Sequence, residues 1–270
     1  MRIEVKHTTH YHYDSPVFPE PHHLYFYPAQ RAYVRVLGFD LDIDPQPAGM
    51  GTHLDAENNL YAQCWFNQTL TEIQIHVGFS VEVRSFNPFN FLVEEKQPAR
   101  SILSPYLAGD PIPGQIRDWV QASRKDHTDP LPFVIALNEQ IGQEWVHDLR
   151  YDQGVLPVVD CFTSKKGSCR DVSWMLIQML RDQGIAARFV SGYSFNPELG
   201  SDHELHAWVE FFQPGAGWIA CDPTCGLLAD HHYIPICASF DHRNTLPVQG
   251  TIRGSAQAQL DFEVQIDRVV

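Results

Sequence analysis

A run of apolar residues at every second position is the sequence feature that most constrains the fold. The apolar positions in this run are Ile73, Ile75, Val77, Phe79, Val81 and Val83. A period of two places all of these side chains on one face of a β-strand, whereas a helix would scatter them around its axis. The first third of the chain therefore predicts a sheet with one buried face.

The rest of the N-terminal region has the same strand-like character. Alternating residues at 34–36 and 39–43 are out of phase with each other, and Gly38 between them predicts a β-bulge. Residues 55–59 are typical of a hairpin turn. Short strands with proline-rich joints predict a β-sandwich over residues 1–95. No residue cluster in this region suggests catalysis, so we interpret it as a supporting or docking domain.

Residues 87–114 carry several prolines and little periodicity, which predicts a linker, with a domain boundary between residues 95 and 96. Beyond it, apolar faces predict helices over 116–123, from Pro132 to Trp145, and from near Cys169 to Gly184. Strand-like runs follow at 187–195, 206–212 and 218–222, and a turn at 214–217 joins the last two. Helices followed by a hairpin predict an α+β domain over residues 96–270. Its last strand, 258–268, could return to either sheet.

Charge and composition exclude several classes of partner. The formal net charge is −14 at pH 7 and no basic patch is visible, which disfavours binding to nucleic acid or to anionic membranes. The N-terminus lacks the apolar run of a signal peptide, and no stretch of 18 apolar residues occurs. We therefore expect a cytoplasmic protein with no membrane association. Its six cysteines are then expected to be free thiols.

Cys169 is the candidate nucleophile. It follows a Lys-Lys-Gly-Ser segment at the predicted start of a helix, where unpaired backbone amides and the positive end of the helix dipole favour the thiolate. Its own amide could donate to a developing oxyanion, and Gly167 permits close backbone approach. A buried structural cysteine would have the same local sequence, so the nucleophile needs partners.

His206 and Asp222 are the candidate partners. His206 opens one strand of the predicted hairpin and Asp222 closes the other, and the midpoint between them falls in the turn. This symmetry predicts that they lie directly opposite each other, close enough for the carboxylate to accept a proton from one imidazole nitrogen. The other nitrogen would face Cys169. A nucleophilic triad requires this arrangement of carboxylate, base and thiolate.

Four segments in this order closely resemble the bacterial transglutaminase-like family. They are KGSCRD at 166–171, GIAARFVSGY at 184–193, HAWVE at 206–210 and GWIACDPT at 217–224. Residues 13–28 are similar to the family's N-terminal β-domain, and residues 87–91 and 247–254 extend the resemblance over most of the chain. The resemblance implies a papain-like core with Cys169, His206 and Asp222 as its triad.

The implied chemistry is acyl transfer on a peptide or carboxamide bond through a thioester, with a peptide or protein as substrate and no cofactor. Water would resolve the thioester in a protease or amidase, and an amine would resolve it in a transglutaminase. We expect hydrolysis, because amine transfer needs an additional shielded acceptor site. Two rival interpretations remain. The triad could be idle in a protein-interaction module, or Cys221, Cys225, His231 and His232 could bind zinc.

Overall fold

The computed structural model describes residues 1–94, 100–125, 127, 129–150, 154–196 and 205–269. In chain order the strands and helices are β1 Arg2–Pro19, β2 His22–Leu24, β3 Val34–Asp44, β4 Gly49–Leu54, β5 Leu60–Trp65, β6 Leu70–Val83, α1 Arg100–Leu107, α2 Gly114–Arg124, α3 Pro130–Glu144, β7 Val146–His147, α4 Val158–Ser164, β8 Lys166–Gly167, α5 Cys169–Asp182, β9 Ala187–Ser194, β10 Leu205–Gln213, β11 Gly217–Asp222, β12 Leu227–Leu228, β13 Tyr233–Ser239, β14 Val248–Gln249, β15 Ile252–Arg253 and β16 Ala258–Val269. A short 3₁₀ helix lies at His242–Thr245.

Two antiparallel sheets form the N-terminal β-domain. One has the order β15-β1-β6-β3, with β16 also paired to β1, and the other has the order β14-β2-β5-β4. The alternating side chains of β6 are buried, and they share a hydrophobic core with residues of both sheets. The register of β3 against β6 shifts between Val36 and Gly38, and Asp55 accepts backbone N–H groups of the β4–β5 turn. The predicted sandwich, bulge and hairpin are therefore confirmed.

The C-terminal strand completes the N-terminal sheet. β16 pairs with β1 from Arg2↔Val269 to Tyr13↔Ala258, and β14 and β15 pair with β2 and β1. Of the two sheets that residues 258–268 could join, they join the N-terminal one. The predicted boundary between residues 95 and 96 lies outside the described residues.

The second unit packs helices on an antiparallel sheet of order β12-β11-β10-β9-β13. Its core lies between this sheet and helices α2, α3 and α5, which is the predicted α+β arrangement. The helix predicted to start at Pro132 starts at Pro130, and α5 ends two residues before Gly184, as expected. The sequence does not predict α1, because this helix contains Pro105 and lies in the proline-rich segment that predicts a linker. No helix in the described part of the chain is long and apolar enough to cross a lipid bilayer.

Buried polar contacts join the two units behind β9 and β10. Glu210 on β10 is buried and pairs with Arg188 of the same sheet and with Arg31 of the β-domain, the latter at 3.1 Å. His7 of β1 meets the hydroxyl of Tyr193 on β9 at 2.8 Å. These contacts attach the sheet that carries His206 to the β-domain.

Candidate active site

Cys169 is the first residue of α5, and the local sequence fixes its backbone. The Asp171 carboxylate accepts the backbone N–H of Ser168 at 2.8 Å and its hydroxyl at 2.7 Å, as in a capping box. A Cβ added at Gly167 would lie 2.8 Å from the Cβ of Asp171 and 3.2 Å from the Cys161 sulfur, so glycine is required for this packing. The predicted helix start and the need for Gly167 are confirmed.

His206 and Asp222 are in contact, but the predicted register is wrong. The β10–β11 pairs run from Val209↔Cys221 to Gln213↔Gly217, so three residues form the turn and its centre is residue 215. In this register Asp222 lies opposite Trp208, and His206 is its diagonal neighbour on the same face. His206 Nε2 nevertheless lies 2.8 Å from Asp222 Oδ2. The contact predicted from symmetry is thus made across a diagonal.

The Asp222 carboxylate is fully buried and accepts four hydrogen bonds. Oδ2 accepts from His206 and from the hydroxyl of Tyr233 at 2.7 Å. Oδ1 accepts the backbone N–H of Thr224 at 2.9 Å and its hydroxyl at 2.6 Å. The Tyr233 hydroxyl in turn accepts from Asn196 at 3.1 Å. This network fixes the carboxylate, and through it the imidazole of His206.

His206 also acts on the Cys169 thiol, whose pKa it lowers, and the backbone N–H of Ala207 lowers the same pKa. Because Nε2 is engaged by Asp222, Nδ1 is the nitrogen that serves the sulfur. The structure therefore brings Cys169, His206 and Asp222 together in the order that the sequence predicted. Trp208 is buried beside the His206 ring, with the centroids 6.3 Å apart, and shields it from solvent.

Burial and local partners oppose each other in setting the ionisation of these groups. Burial raises the pKa of the Cys169 thiol, but hydrogen bonds from His147 and His206 outweigh it and lower the pKa to about 6. Burial lowers the pKa of His206, but the charge of Asp222 raises it to about 10. The charge of His206 holds the pKa of Asp222 at about 2 against its own burial. A thiolate–imidazolium pair is therefore the stable form at neutral pH.

The other cysteines differ from Cys169. All six are free thiols within the described residues. Burial is the largest cause that raises the pKa of each of the other five, which are Cys64, Cys161, Cys221, Cys225 and Cys237. Cys169 is thus the thiol of this chain that is predominantly ionised at neutral pH.

Sequence reasoning missed two polar residues of the site, His147 and Tyr233. β7 pairs with β8 in parallel, with His147 opposite Gly167, and its imidazole lowers the pKa of the Cys169 thiol. A two-residue bridge has no periodicity, so no sequence signal could have located it. Tyr233 starts an apolar strand in which every residue is buried, and its hydroxyl gives no pattern of its own.

The predicted zinc alternative is not formed. Among the described residues, the group of side chains that could hold a metal ion contains Asp230, His231 and His232, and neither Cys221 nor Cys225 belongs to it. Both histidines already meet the Asp230 carboxylate, at 3.3 Å and 2.8 Å. The four proposed ligands are therefore not brought together.

The fold and the residues grouped at the start of α5 define a papain-like α+β protein with an N-terminal β-domain. Comparison with known families gives the same result. Residues 3–82 match the bacterial transglutaminase-like N-terminal region, and residues 117–223 match the core of the transglutaminase-like superfamily. Over these two ranges the chain is similar to bacterial transglutaminase-like proteins.

Individual relatives are similar over different parts of the chain. An uncharacterised protein of Mycobacterium tuberculosis is 25% identical over 98% of this chain and 92% of its own length. A protein-glutamine gamma-glutamyltransferase of Pseudomonas aeruginosa is 33% identical, but over only 37% of this chain and 17% of its own length. The crystal structure of a candidate cysteine protease from Cytophaga hutchinsonii has the same fold, with a TM-score of 0.74 at 18% identity, over 99% of this chain and 90% of that one.

Proposed function

We propose that this protein catalyses acyl transfer from a peptide or carboxamide bond through a thioester on Cys169. The observation that carries the proposal is the contact of this half-buried sulfur with the His206 imidazole, which the buried Asp222 holds in place. A lowered thiol pKa, a base and a carboxylate orienting that base are the requirements for a cysteine nucleophile.

The chemistry proceeds in two halves. The Cys169 thiolate attacks the carbonyl carbon, and the carbonyl π electrons move to oxygen. As the carbonyl re-forms, the C–N bond breaks and His206 gives its Nδ1 proton to the departing amine. His206 then removes a proton from the incoming nucleophile, which attacks the thioester and releases Cys169. Asp222 keeps the His206 proton on Nε2 and stabilises the imidazolium.

We infer that water is the usual second nucleophile, which makes the reaction hydrolytic. Water needs no binding site of its own, whereas transfer to a lysine-like amine requires an acceptor site that excludes water. Cross-linking is the alternative, and the similarity of part of the core to a protein-glutamine gamma-glutamyltransferase favours testing it.

An activated ester tests the first half-reaction without knowledge of the natural substrate. We expect p-nitrophenyl acetate to give a burst of nitrophenolate equal to the enzyme concentration, and one acetyl group on Cys169 in the intact-protein mass. Cys169→Ala should abolish both. Cys225→Ser is the matched control, because Cys225 is also half-buried but burial raises its thiol pKa. Parent enzyme without a burst, or with the acetyl group on another residue, would exclude the proposal.

A competition experiment separates hydrolysis from cross-linking. Glutamine-containing peptides would be incubated with the parent enzyme and an excess of a primary amine. Hydrolysis predicts free acid or cleaved peptide at a rate that the amine does not change. Accumulation of the amine-linked peptide would instead assign the protein as a transglutaminase.

A further inference from the structure

The site contains a second imidazole that the three-residue mechanism does not use. His147 on β7 lies opposite Gly167, two residues before Cys169, and it lowers the pKa of the Cys169 thiol, as His206 does from β10. His147 is an exposed residue, while the His206 side chain is 11% exposed. The sulfur therefore has one deeply buried imidazole partner and one at the solvent-accessible side of the site.

The backbone holds His147 rigidly beside the nucleophile. The N–H of Val146 donates to Lys165 O and the N–H of Asp148 donates to Gly167 O, both at 2.9 Å. These two bonds flank His147 and attach it to β8. A single residue, Ser168, separates β8 from Cys169. The buried Trp145, which precedes this bridge, donates its indole N–H to Cys161 O at 3.0 Å. His147 is thus attached to the segment that carries the nucleophile and does not depend on the sheet that carries His206.

This position suits the oxygen of a tetrahedral intermediate. In that intermediate the oxygen lies two bonds from the sulfur, so a donor within hydrogen-bond reach of the sulfur is also close to the oxygen. The backbone N–H of Cys169 lies in the first turn of α5, where amides have no intrahelical partner. One helix-start amide and one side-chain donor is a common composition for an oxyanion hole.

We propose that His147 is a further catalytic residue, which donates an N–H hydrogen bond to the oxyanion together with the backbone N–H of Cys169. This inference rests on the proposed acyl transfer. In the resting enzyme the same N–H group points to the sulfur. When the thiolate forms the C–S bond and the carbonyl π electrons move to oxygen, the negative charge moves from sulfur to oxygen and the donor follows it. No proton leaves His147, and the proton for the leaving amine comes from His206.

The test compares His147→Ala with His147→Gln, whose amide retains an N–H donor but does not titrate at neutral pH. Val146→Ala is the matched control, because Val146 is the neighbouring residue on β7 and is 59% exposed. The probe is p-nitrophenyl acetate, with the acylation rate and the KM as readouts. The rate of alkylation of Cys169 by iodoacetamide against pH gives the ionisation of the thiol separately.

We expect His147→Ala to acylate about 10²- to 10³-fold more slowly with little change in KM, as for loss of one oxyanion donor. His147→Gln should recover much of the rate, and Val146→Ala should match the parent. His147→Ala should still acylate more slowly than the parent at pH 9.5, where alkylation should show that the sulfur is ionised in the parent and in His147→Ala. Recovery to the parent rate at that pH would mean that His147 only promotes thiolate formation, which overturns the oxyanion role.

Failure of this inference and failure of the proposed function give different results. Equal acylation by the parent and His147→Ala would remove the role of His147 and leave acyl transfer intact. A parent enzyme that forms no acyl-enzyme would remove both. An alkylation profile that His147→Ala does not shift to higher pH would show that the His147–Cys169 contact is absent in solution, which also overturns the inference.

Discussion

Replacement of Asp222 by asparagine keeps the shape of the side chain but reverses the proton positions on His206. Thr224 donates its backbone N–H to Oδ1 of Asp222 at 2.9 Å, and only the oxygen of an asparagine amide could accept it. The amide nitrogen must then face His206 Nε2. Because this nitrogen is a donor, Nε2 has to accept, and the imidazole proton moves to Nδ1. Nδ1 then can no longer accept the proton of the Cys169 thiol.

The expected loss of reaction rate in Asp222→Asn has two components. In a serine protease triad the equivalent substitution lowers kcat by about 10⁴, or about 5.4 kcal/mol of activation free energy. Part of this loss comes from the supply of thiolate. A thiol pKa of about 6 makes Cys169 about 90% ionised at pH 7, whereas an ordinary thiol with a pKa of about 8.5 is about 3% ionised. Thiolate supply thus accounts for a factor of about 30, and the base for the remaining factor of about 300.

The assay is the pH dependence of acylation by p-nitrophenyl acetate in the parent and in Asp222→Asn. We expect Asp222→Asn to acylate about 10⁴-fold more slowly than the parent at pH 7. At pH 9.5, where the thiol ionises without assistance, the difference in acylation rate should fall to about 300-fold. Urea unfolding controls for folding, and the altered hydrogen bonds should cost about 1 to 3 kcal/mol. A deficit below tenfold at pH 7 in a folded variant, or a deficit that does not change with pH, would refute the tautomer argument.

Three further substitutions test the support of the site. Tyr233→Phe removes one hydrogen-bond donor from Asp222. It should lower the acylation rate about tenfold, measured by burst kinetics, and the free energy of unfolding by about 1 to 3 kcal/mol, measured by urea unfolding. An unchanged acylation rate would contradict the positioning role of Tyr233. Gly192→Ala would place a Cβ 2.3 Å from Ile234 O and should cost about 1 to 3 kcal/mol, so an unchanged thermal midpoint would disprove the close approach. Glu210→Gln should cost about 3 kcal/mol, because it leaves two arginine partners without their carboxylate. Burial raises the pKa of Glu210, but the two arginines lower it by more, so this pKa lies below its usual value. As the pH falls below about 4.3, the parent should therefore lose stability, and Glu210→Gln should lose less stability over the same range.

Periodicity predicted those elements that bury one face. The alternation in β6 and the apolar face of α5 both follow from their contact with a core, and both lie where they were predicted. The partner of β16 was not predictable, because its alternating pattern suits either sheet and pairing is decided by tertiary contacts. α1 was missed because Pro105 disfavours a helix locally, while the burial of Leu103 stabilises it.

In the site too, features set by neighbouring residues in the sequence could be predicted, whereas features set by distant residues could not. The start of α5 at Cys169 is encoded by its neighbours Ser168 and Asp171, so it could be predicted. The His206–Asp222 contact was predicted from a register two residues away from the observed one, and it survives because diagonal neighbours on one face are still within reach. His147 reaches the sulfur through a parallel bridge of two residues, and pairing of that length leaves no trace in the sequence.

The proposed catalytic groups therefore lie on two separate parts of the structure. Cys169 and His147 share one part, since β7, β8 and the start of α5 are joined by backbone hydrogen bonds. His206 and Asp222 lie on the sheet that contains β10 and β11, and this sheet is attached to the β-domain by the contacts of Glu210 and Tyr193. The spacing of the two parts depends on packing between α5 and β10, where the Ser173 hydroxyl donates to Ala207 O at 3.2 Å. Because the N–H of Ala207 also lowers the pKa of the Cys169 thiol, a shift of α5 along β10 would weaken the thiolate's partners on the sheet while leaving its position beside His147 unchanged.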